Sequence, residues 1–369
     1  MSGVESGSVP DALGRKLMRE WFERDWRKGG KTAALIGSKG LGKSTFMTLL
    51  AEESFNKGDI VIWRGRHRDL WPALPPLEKK IVLIPKGAEI KVLRFKGPSA
   101  RGEDITDRFE IKEYSSAKEA FKLLDPEALN VIYSPVYYTP NYLLKQKWAV
   151  SVPFIDGTLW WFEFLRILIK RPDTRWFSVF WDELHDLVPM WATGVHWRVL
   201  QAEQSIFADF RGALINFVGA THDPSLLDPR FRWRNRWYFY FNGARPAPGS
   251  IVWKFLKSRG KNVIDWLELG TVIVENLDKG KSGVFEFRFP KTKYMYRIQL
   301  NQDSPVDDGV TIAPRQANKR GGSIKDRVFA LANEKGVDFA LSYVEELYHY
   351  GKISERYFYK LKKQLRTLS

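Results

Sequence analysis

The sequence predicts an α/β fold built on a mostly parallel sheet, and three observations predict it. Apolar strand candidates alternate with helix candidates along most of the chain, a glycine-rich loop stands directly between one such strand and the helix after it, and 369 residues with 44% hydrophobic content supply a large core. At roughly 150 residues per domain the length suits two domains, or one large domain with appendages.

The elements follow in order. Residues 12–28 place Leu13, Leu17, Trp21 with Phe22 beside it, and Trp26 about four apart, the spacing of an amphipathic helix closed by Gly29 and Gly30. A strand is expected at Thr32–Ile36, a loop at Gly37–Lys43, a helix ending near Gly58, and a second strand at Asp59–Trp63. From about 64 to 130 the pattern loosens into short strand candidates among prolines and charges, an inserted β-rich subdomain or an elaboration of the sheet edge. Regular order resumes with strands at Leu129–Pro135, Trp176–Trp181 and Ala213–Gly219, separated by helices around Leu159–Lys170 and His196–Phe210. Further strands are expected at Trp237–Phe241, Thr271–Glu275 and Val284–Phe289. Residues 301–322 have linker composition, and 323–369 offer three short helices. The expected organisation is therefore an N-terminal helix (1–30), a core (31–300), a linker and a small C-terminal helical domain.

Composition narrows the chemistry. Lysine and arginine total 59 against 43 acidic residues, a net charge of +16, which favours polyanionic partners, nucleic acid first and anionic lipid second. Zero cysteines exclude disulfides, thiolate zinc sites, iron–sulfur clusters and cysteine nucleophiles, and five histidines make a histidine-rich metal centre a poor expectation. The most apolar long stretch, Trp148–Lys170, carries Asp156, Glu163 and Arg166, so no transmembrane helix is expected. The N-terminus lacks the basic start and apolar run of a secretion signal, and the cytoplasm is the expected compartment.

Gly37, Ser38, Lys39, Gly40, Leu41, Gly42, Lys43, Ser44 and Thr45 read GSKGLGKST and satisfy G-x-x-x-x-G-K-[ST]. The glycines let backbone N–H groups turn inward around phosphate oxygens, Lys43 reaches the β- and γ-phosphates, and Ser44 ligates Mg²⁺. The alternative is a glycine-rich helix cap without a ligand. ATP hydrolysis also needs a carboxylate beside the metal and a group that activates water. WFSVFWDELHDLVP supplies an apolar strand ending in Asp182, for the Mg²⁺ shell, and Glu183, for the attacking water. The alternative there is a strand followed by an aspartate-capped helix.

At this point the chain resembles the HerA/FtsK superfamily of ring-forming, RecA-like P-loop ATPases that pump DNA. Besides the loop, DELHDLVP (Asp182–Pro189) resembles the family's D-E-A-H-x-x-x-P pattern, with Leu184 where alanine is common. ADFRGALINFVGATHDP (Ala208–Pro224) resembles the stretch in which an arginine precedes a strand ending in A-T-Q-x-P, and Trp266–Pro290 resembles the family's closing segment. The resemblance implies that Arg211 acts as an arginine finger on a neighbouring subunit's nucleotide, against the alternative of a surface arginine at a helix end. His222 stands where the family usually has a γ-phosphate-sensing glutamine, which makes it a site residue of altered chemistry. It further implies a homo-oligomer, commonly a hexameric ring, acting on double-stranded DNA in the cytoplasm, the host's if the chain is viral. It names no portal, nuclease or membrane partner.

Between Pro229 and Ile264 stand nine basic residues and no acidic one: Arg230, Arg232, Arg234, Arg236, Arg245, Lys254, Lys257, Arg259 and Lys261. The run RFRWRNRW alternates arginine with aromatics, a combination that holds backbone charge and stacks bases; a charged strand edge or a subunit contact is the alternative. In the tail, Arg356, Lys360 and Lys363 reach DNA if the three helices form a helix-turn-helix, whereas a plain helical bundle would dock a subunit or partner. The expected function is an oligomeric ATPase that translocates or packages double-stranded DNA. The competing expectations are a secretion or virion-assembly ATPase acting on protein, and a nucleotide-dependent DNA-binding regulator.

Overall fold

A computed structural model describes residues 12–74, 79–97, 101–135, 157–190, 200–201, 205–288, 294–302 and 355–366, with positions 328–329, 337, 340–341 and 344 of the tail. The chain divides into two compact units, Met1–Asp307 and Asp308–Ser369.

The first unit is built on a ten-stranded sheet. In chain order its strands are β1 (Thr32–Ile36), β2 (Ile60–Arg64), β3 (Lys80–Pro85), β6 (Glu110–Tyr114), β7 (Leu129–Ile132), β8 (Phe177–Trp181), β9 (Ile215–Thr221), β10 (Trp237–Tyr240), β11 (Thr271–Asn276) and β12 (Lys281–Glu286). Their spatial order is β12-β11-β10-β1-β9-β8-β2-β7-β3-β6, and every pairing from β10 to β6 is parallel. The hairpin β11–β12 closes the β10 edge with antiparallel pairs. Strands β1, β8 and β9 are buried at every position, the continuous apolar run of a parallel sheet covered on both faces. One face is covered by Trp160, Trp161, Phe164, Phe207 and Phe210, the other by Trp21, Phe46 and Phe287. The mostly parallel α/β class expected from the sequence is the class observed.

The segment between β2 and β7 differs from a separate inserted subdomain. Its strands β3 and β6 extend the main sheet, while β4 (Ala88–Phe95) and β5 (Glu103–Asp104) form a second sheet of three strands with β13 (Met295–Gln302). Strand β13 was not expected, and residues 301–302, assigned to the linker, are its end. Its pairing with β4 spans some 200 residues, which no local pattern reveals.

Three further local differences have visible causes. The first helix runs only Ala12–Phe22, because Lys31 Nζ donates to the carbonyls of Glu20, Trp21 and Glu23 at 2.7–2.8 Å and ends it; Trp26 is left 72% exposed. RFRWRNRW does not form a strand: Pro229–Arg234 is a short helix, with Asp228 accepting from Arg230 N as N-cap and Pro229 in its first turn. An unexpected helix, Ile251–Ser258, is started by Ser250, whose side chain accepts from Trp253 N, and by the buried Glu275, which accepts from Ile251 N. The helix expected at His196–Phe210 is seen as Ile206–Asp209, the remainder lying largely outside the described residues.

A buried polar cluster ties the amino ends of β2, β8 and β9 together. Asp59, fully buried, accepts two hydrogen bonds from Arg24 at 2.6 and 2.7 Å and others from Ser178 and Asn216. In the second unit the helix Glu355–Arg366 buries Leu361 and Leu365 and exposes Lys360 and Lys363. The first two helices expected in the tail, like the linker after residue 302, lie almost wholly outside the described residues.

Candidate active site

In a parallel sheet, ligands gather beyond the carboxyl ends of the strands, and there the residues singled out in the sequence meet. Strand β1 delivers the glycine loop, and the helix Lys43–Asn56 starts on Gly42, which stands at φ 92°. Gly40 is also left-handed, at φ 82°, so both turns of the loop use conformations that an L side chain resists. Gly37 lies so close to β10 that an added Cβ would sit 2.7 Å from Phe241 Cβ. The loop is tied to β10's end by Ser38 N donating to Asn242 O at 3.3 Å.

Lys43 Nζ is turned back into its own loop, donating to Gly37 O at 2.7 Å and Ser38 O at 2.9 Å. Burial lowers its pKa, opposed by the carboxylates of Asp182 and Glu183. Strand β8 delivers Asp182, whose Oδ2 accepts from Ser44 Oγ at 3.3 Å. A hydroxyl and a carboxylate sharing one point on the cleft are the hard oxygen donors Mg²⁺ takes, with phosphate and water completing its shell. Among the described residues no group of three or more histidine, aspartate or glutamate side chains forms a metal cage, and such a site needs none.

Glu183 departs from ordinary backbone, at φ 54° and ψ 62°. Its own N–H donates to Asp182 Oδ1 at 3.0 Å. A non-glycine residue held left-handed at the end of a buried strand is the kind of local strain that surrounding structure must hold in place. Behind it, Gly219 of β9 makes room for Leu184: a Cβ at 219 would meet Leu184 Cδ2 at 2.5 Å. Strand β9 lies between β1 and β8 and ends at Thr221, so His222 falls between loop and carboxylates. Lys43 Nζ is 3.1 Å from His222 Nδ1, and His222 Nε2 is 3.2 Å from Glu183 Oε1. The ammonium only donates, so Nδ1 accepts and Nε2–H faces Glu183. One imidazole thus links the lysine to the glutamate.

These residues line a cleft of about 1030 Å³ that also holds residues the sequence reading passed over: Arg64 at the end of β2 with Arg66, His67 and Arg68 beyond it, Tyr133 and Ser134 after β7, and Leu300 and Asn301 of β13. Arg64 is fixed, its Nη1 donating to Asp182 O and Asp186 Oδ2 while its guanidinium lies 4.4 Å from the Trp181 ring. Burial lowers its pKa, opposed by Asp186. Arg66 Nη1 approaches Asp182 Oδ2 at 3.4 Å and Glu183 Oε1 at 3.7 Å. A signal for these residues was present in part: RGRHR directly follows the strand expected at Asp59–Trp63, at its carboxyl end. Asp69, in the same loop, accepts from Trp63 Nε1 and from backbone N–H groups, and burial pushes its carboxyl up to about 7.

Arg211 is not brought to this site. It precedes β9, and seven residues of strand, about 23 Å at 3.3 Å each, separate it from His222. It is exposed, with Nε donating to Lys28 O at 2.9 Å and its carbonyl accepting from Gly30 N at 2.9 Å.

The basic block is not uniformly uncompensated. Arg230 makes two short hydrogen bonds to Asp228, Arg236 pairs with Asp278, Arg245 with Asp223 and Lys261 with Asp265, acids that flank the block or come from the hairpin. Arg232 and Arg234 are half-buried, and their carbonyls accept from Tyr238 Oη and Thr32 Oγ1. Lys254, Lys257 and Arg259 are exposed and make no ion pair among the described residues. Lys360 and Lys363 are exposed on the tail helix, whose backbone also includes Arg356.

No family model and no curated protein matches this chain. Among solved structures it is similar to the genome packaging NTPase B204 from Sulfolobus turreted icosahedral virus 2 in complex with AMPPCP, at 10% identity and TM-score 0.37 over 70% of this chain and 98% of that one. It is also similar to the bacterial conjugative coupling protein TrwBΔN70, at 10% identity and TM-score 0.42 over 78% and 96% of the two chains. A third is VirB4 of Thermoanaerobacter pseudethanolicus, at 8% identity and TM-score 0.42 over 74% and 93%. Identities this low and TM-scores below 0.5 leave the chemistry of the cleft to its own residues.

Proposed function

We propose that this chain is an ATP-hydrolysing motor of the HerA/FtsK kind, working as an oligomeric ring in the cytoplasm to translocate or package double-stranded DNA. The observation that carries the reading is the convergence of Lys43, Ser44, Asp182 and Glu183 in one cleft at the carboxyl ends of β1 and β8.

The loop N–H groups and Lys43 bind the β- and γ-phosphates, the lysine leaving the carbonyls of Gly37 and Ser38 to do so. Ser44 and Asp182 would hold Mg²⁺, which would supply neutralisation of phosphate charge. Glu183 orients a water and accepts its proton as the water oxygen bonds to the γ-phosphorus; the bond from that phosphorus to the β–γ bridging oxygen breaks, and ADP leaves with the oxygen. His222, between Lys43 and Glu183, senses whether phosphate occupies the loop. Arg211 lies too far from its own cleft to assist, which supports its use on a neighbouring subunit's nucleotide and hence a ring. DNA is held through its phosphates by exposed cations of the 229–264 block and the tail, without reading bases. No helix among the described residues is long and apolar enough to cross a membrane.

The test is ATPase activity of the purified protein with no polymer, double-stranded DNA, single-stranded DNA and RNA, with mass measured in the presence of a nonhydrolysable ATP analogue. Stimulation by double-stranded DNA, loss of activity in Lys43→Ala and Glu183→Gln, and assembly with the analogue are expected. Hydrolysis indifferent to DNA, with no DNA binding at moderate salt, refutes the motor.

A further inference from the structure

The mechanism leaves Arg64, Arg66 and Arg68 of the cleft unused, and the placement of Arg66 differs from that of Arg64. Arg64 is built in, stacked on Trp181 and hydrogen-bonded to Asp182 O and Asp186. Arg66, two residues on, has a fixed backbone and a loosely held side chain. Tyr133 Oη donates to Arg66 O at 3.2 Å, and Gly65 packs so tightly that a Cβ there would sit 2.4 Å from the Tyr133 ring. The guanidinium, by contrast, stands 3.4 Å from Asp182 Oδ2 and 3.7 Å from Glu183 Oε1, distances of charge attraction more than of directional hydrogen bonds. Asp182 Oδ2 is also the acceptor of Ser44 Oγ, so Arg66 occupies the oxygen that a metal held by Ser44 and Asp182 needs.

A cation held at both acidic side chains, at the mouth of a phosphate-binding loop, has two roles according to what the cleft contains. The geometry points to Arg66 as a catalytic cation acting in cis: it neutralises the Asp182–Glu183 pair while the site is empty and swings onto the phosphates when Mg²⁺ and nucleotide enter. Two features drive the swing. A divalent ion competes for Asp182 Oδ2 and repels the guanidinium at that distance, while the incoming phosphates offer a planar, bidentate partner within the same cleft. Once there, Arg66 stabilises charge developing on the γ-phosphate from within the subunit, and Glu183 is released to face the water. The assignment rests on the ATPase reading, and extends it to a residue that neither the glycine loop nor the acidic pair identifies.

The experiment compares wild type, Arg66→Ala and Arg66→Lys in two measurements. Mn²⁺ binding to the nucleotide-free protein, followed by electron paramagnetic resonance, is expected to tighten at least threefold in Arg66→Ala, because the competing cation is gone, and to stay near wild type in Arg66→Lys. In steady-state hydrolysis, Arg66→Ala is expected to lose at least 100-fold in kcat with KM for ATP within about threefold, and Arg66→Lys to recover only part, since an ammonium cannot make the bidentate contact. An unchanged Mn²⁺ affinity in Arg66→Ala, or a kcat within fivefold of wild type, overturns the assignment. A wild-type protein that does not hydrolyse ATP refutes the ATPase reading instead, and the Mn²⁺ comparison then decides by itself whether Arg66 holds the metal position.

Discussion

Gly29→Ala perturbs Arg211 without touching the nucleotide cleft. Gly29 sits at φ +72°, and a Cβ there would lie 2.3 Å from Arg211 O and 2.8 Å from Arg211 Cγ. The matched control is Gly58→Ala, at φ +82° with nothing within 4 Å of its Cβ. Both variants carry the left-handed cost of an L side chain, about 1–2 kcal/mol. Only the first must also push Arg211 away, breaking the bond from Gly30 N to Arg211 O, for about 1–3 kcal/mol of overpacking and about 1 kcal/mol of lost hydrogen bond. Urea unfolding should therefore rank Gly58→Ala about 1–2 and Gly29→Ala about 3–6 kcal/mol below wild type. If Arg211 serves a neighbouring subunit's nucleotide as proposed, its displacement by about 1 Å should cost on the order of 10²-fold in kcat of the assembled protein at saturating ATP. Affinity for a fluorescent ATP analogue should hold, because strand β1 keeps the loop about 17 Å from Gly29's end. Equal stability of the two variants refutes the steric argument. Wild-type turnover in Gly29→Ala, beside a strong loss in Arg211→Ala, refutes the claim that the 28–30 turn seats the finger.

Arg24→Ala leaves the fully buried Asp59 carboxylate without its cation and should lower unfolding free energy by about 3–5 kcal/mol, measured by denaturant titration. For DNA binding, Lys254→Ala, Lys257→Ala and Arg259→Ala should each flatten the dependence of log K on log salt by about 1, and Arg230→Ala, whose charge Asp228 already holds, by much less; the reverse ranking would place the DNA elsewhere. Asp69, with its folded pKa raised to about 7, contributes stability that is complete below its unfolded value near pH 4 and lost as pH rises to 7. Asp69→Asn should remove that slope in unfolding free energies measured from pH 4 to 8.

Much of the core was legible because its signals are local. Strands β1, β8, β9 and β10 fall where apolar runs placed them, and the phosphate loop is recognised from nine consecutive residues whose main bonds close within the loop, Lys43 to Gly37 and Ser38. What misled was local pattern overridden by a few side chains. Lys31 ended the first helix short of Trp26, and Asp228 with Pro229 turned an alternating segment into a helix. The helix Ile251–Ser258 depends on Glu275, 24 residues away, and β13 on a partner strand some 200 residues earlier. Alternation and periodicity report which side of an element is buried, not which element buries it.

By itself the sequence determined a mostly parallel α/β core with a glycine-rich G-x-x-x-x-G-K-[ST] loop, an acidic strand end facing the same edge, and a concentrated positive charge. Each of these follows from residue type and near-neighbour spacing. Only the tertiary structure decided that β9 lies between β1 and β8, which sets His222 between Lys43 and Glu183, and that β2 lies beside β8, which brings Arg66 to the acidic pair. It also decided that Arg211 stands at the far end of the sheet and that, among the described residues, four of the nine basic-block charges have acidic partners. The reason is that ion pairs and hydrogen bonds act over a few ångströms in space. The order of strands in a sheet, rather than their order along the chain, sets those distances.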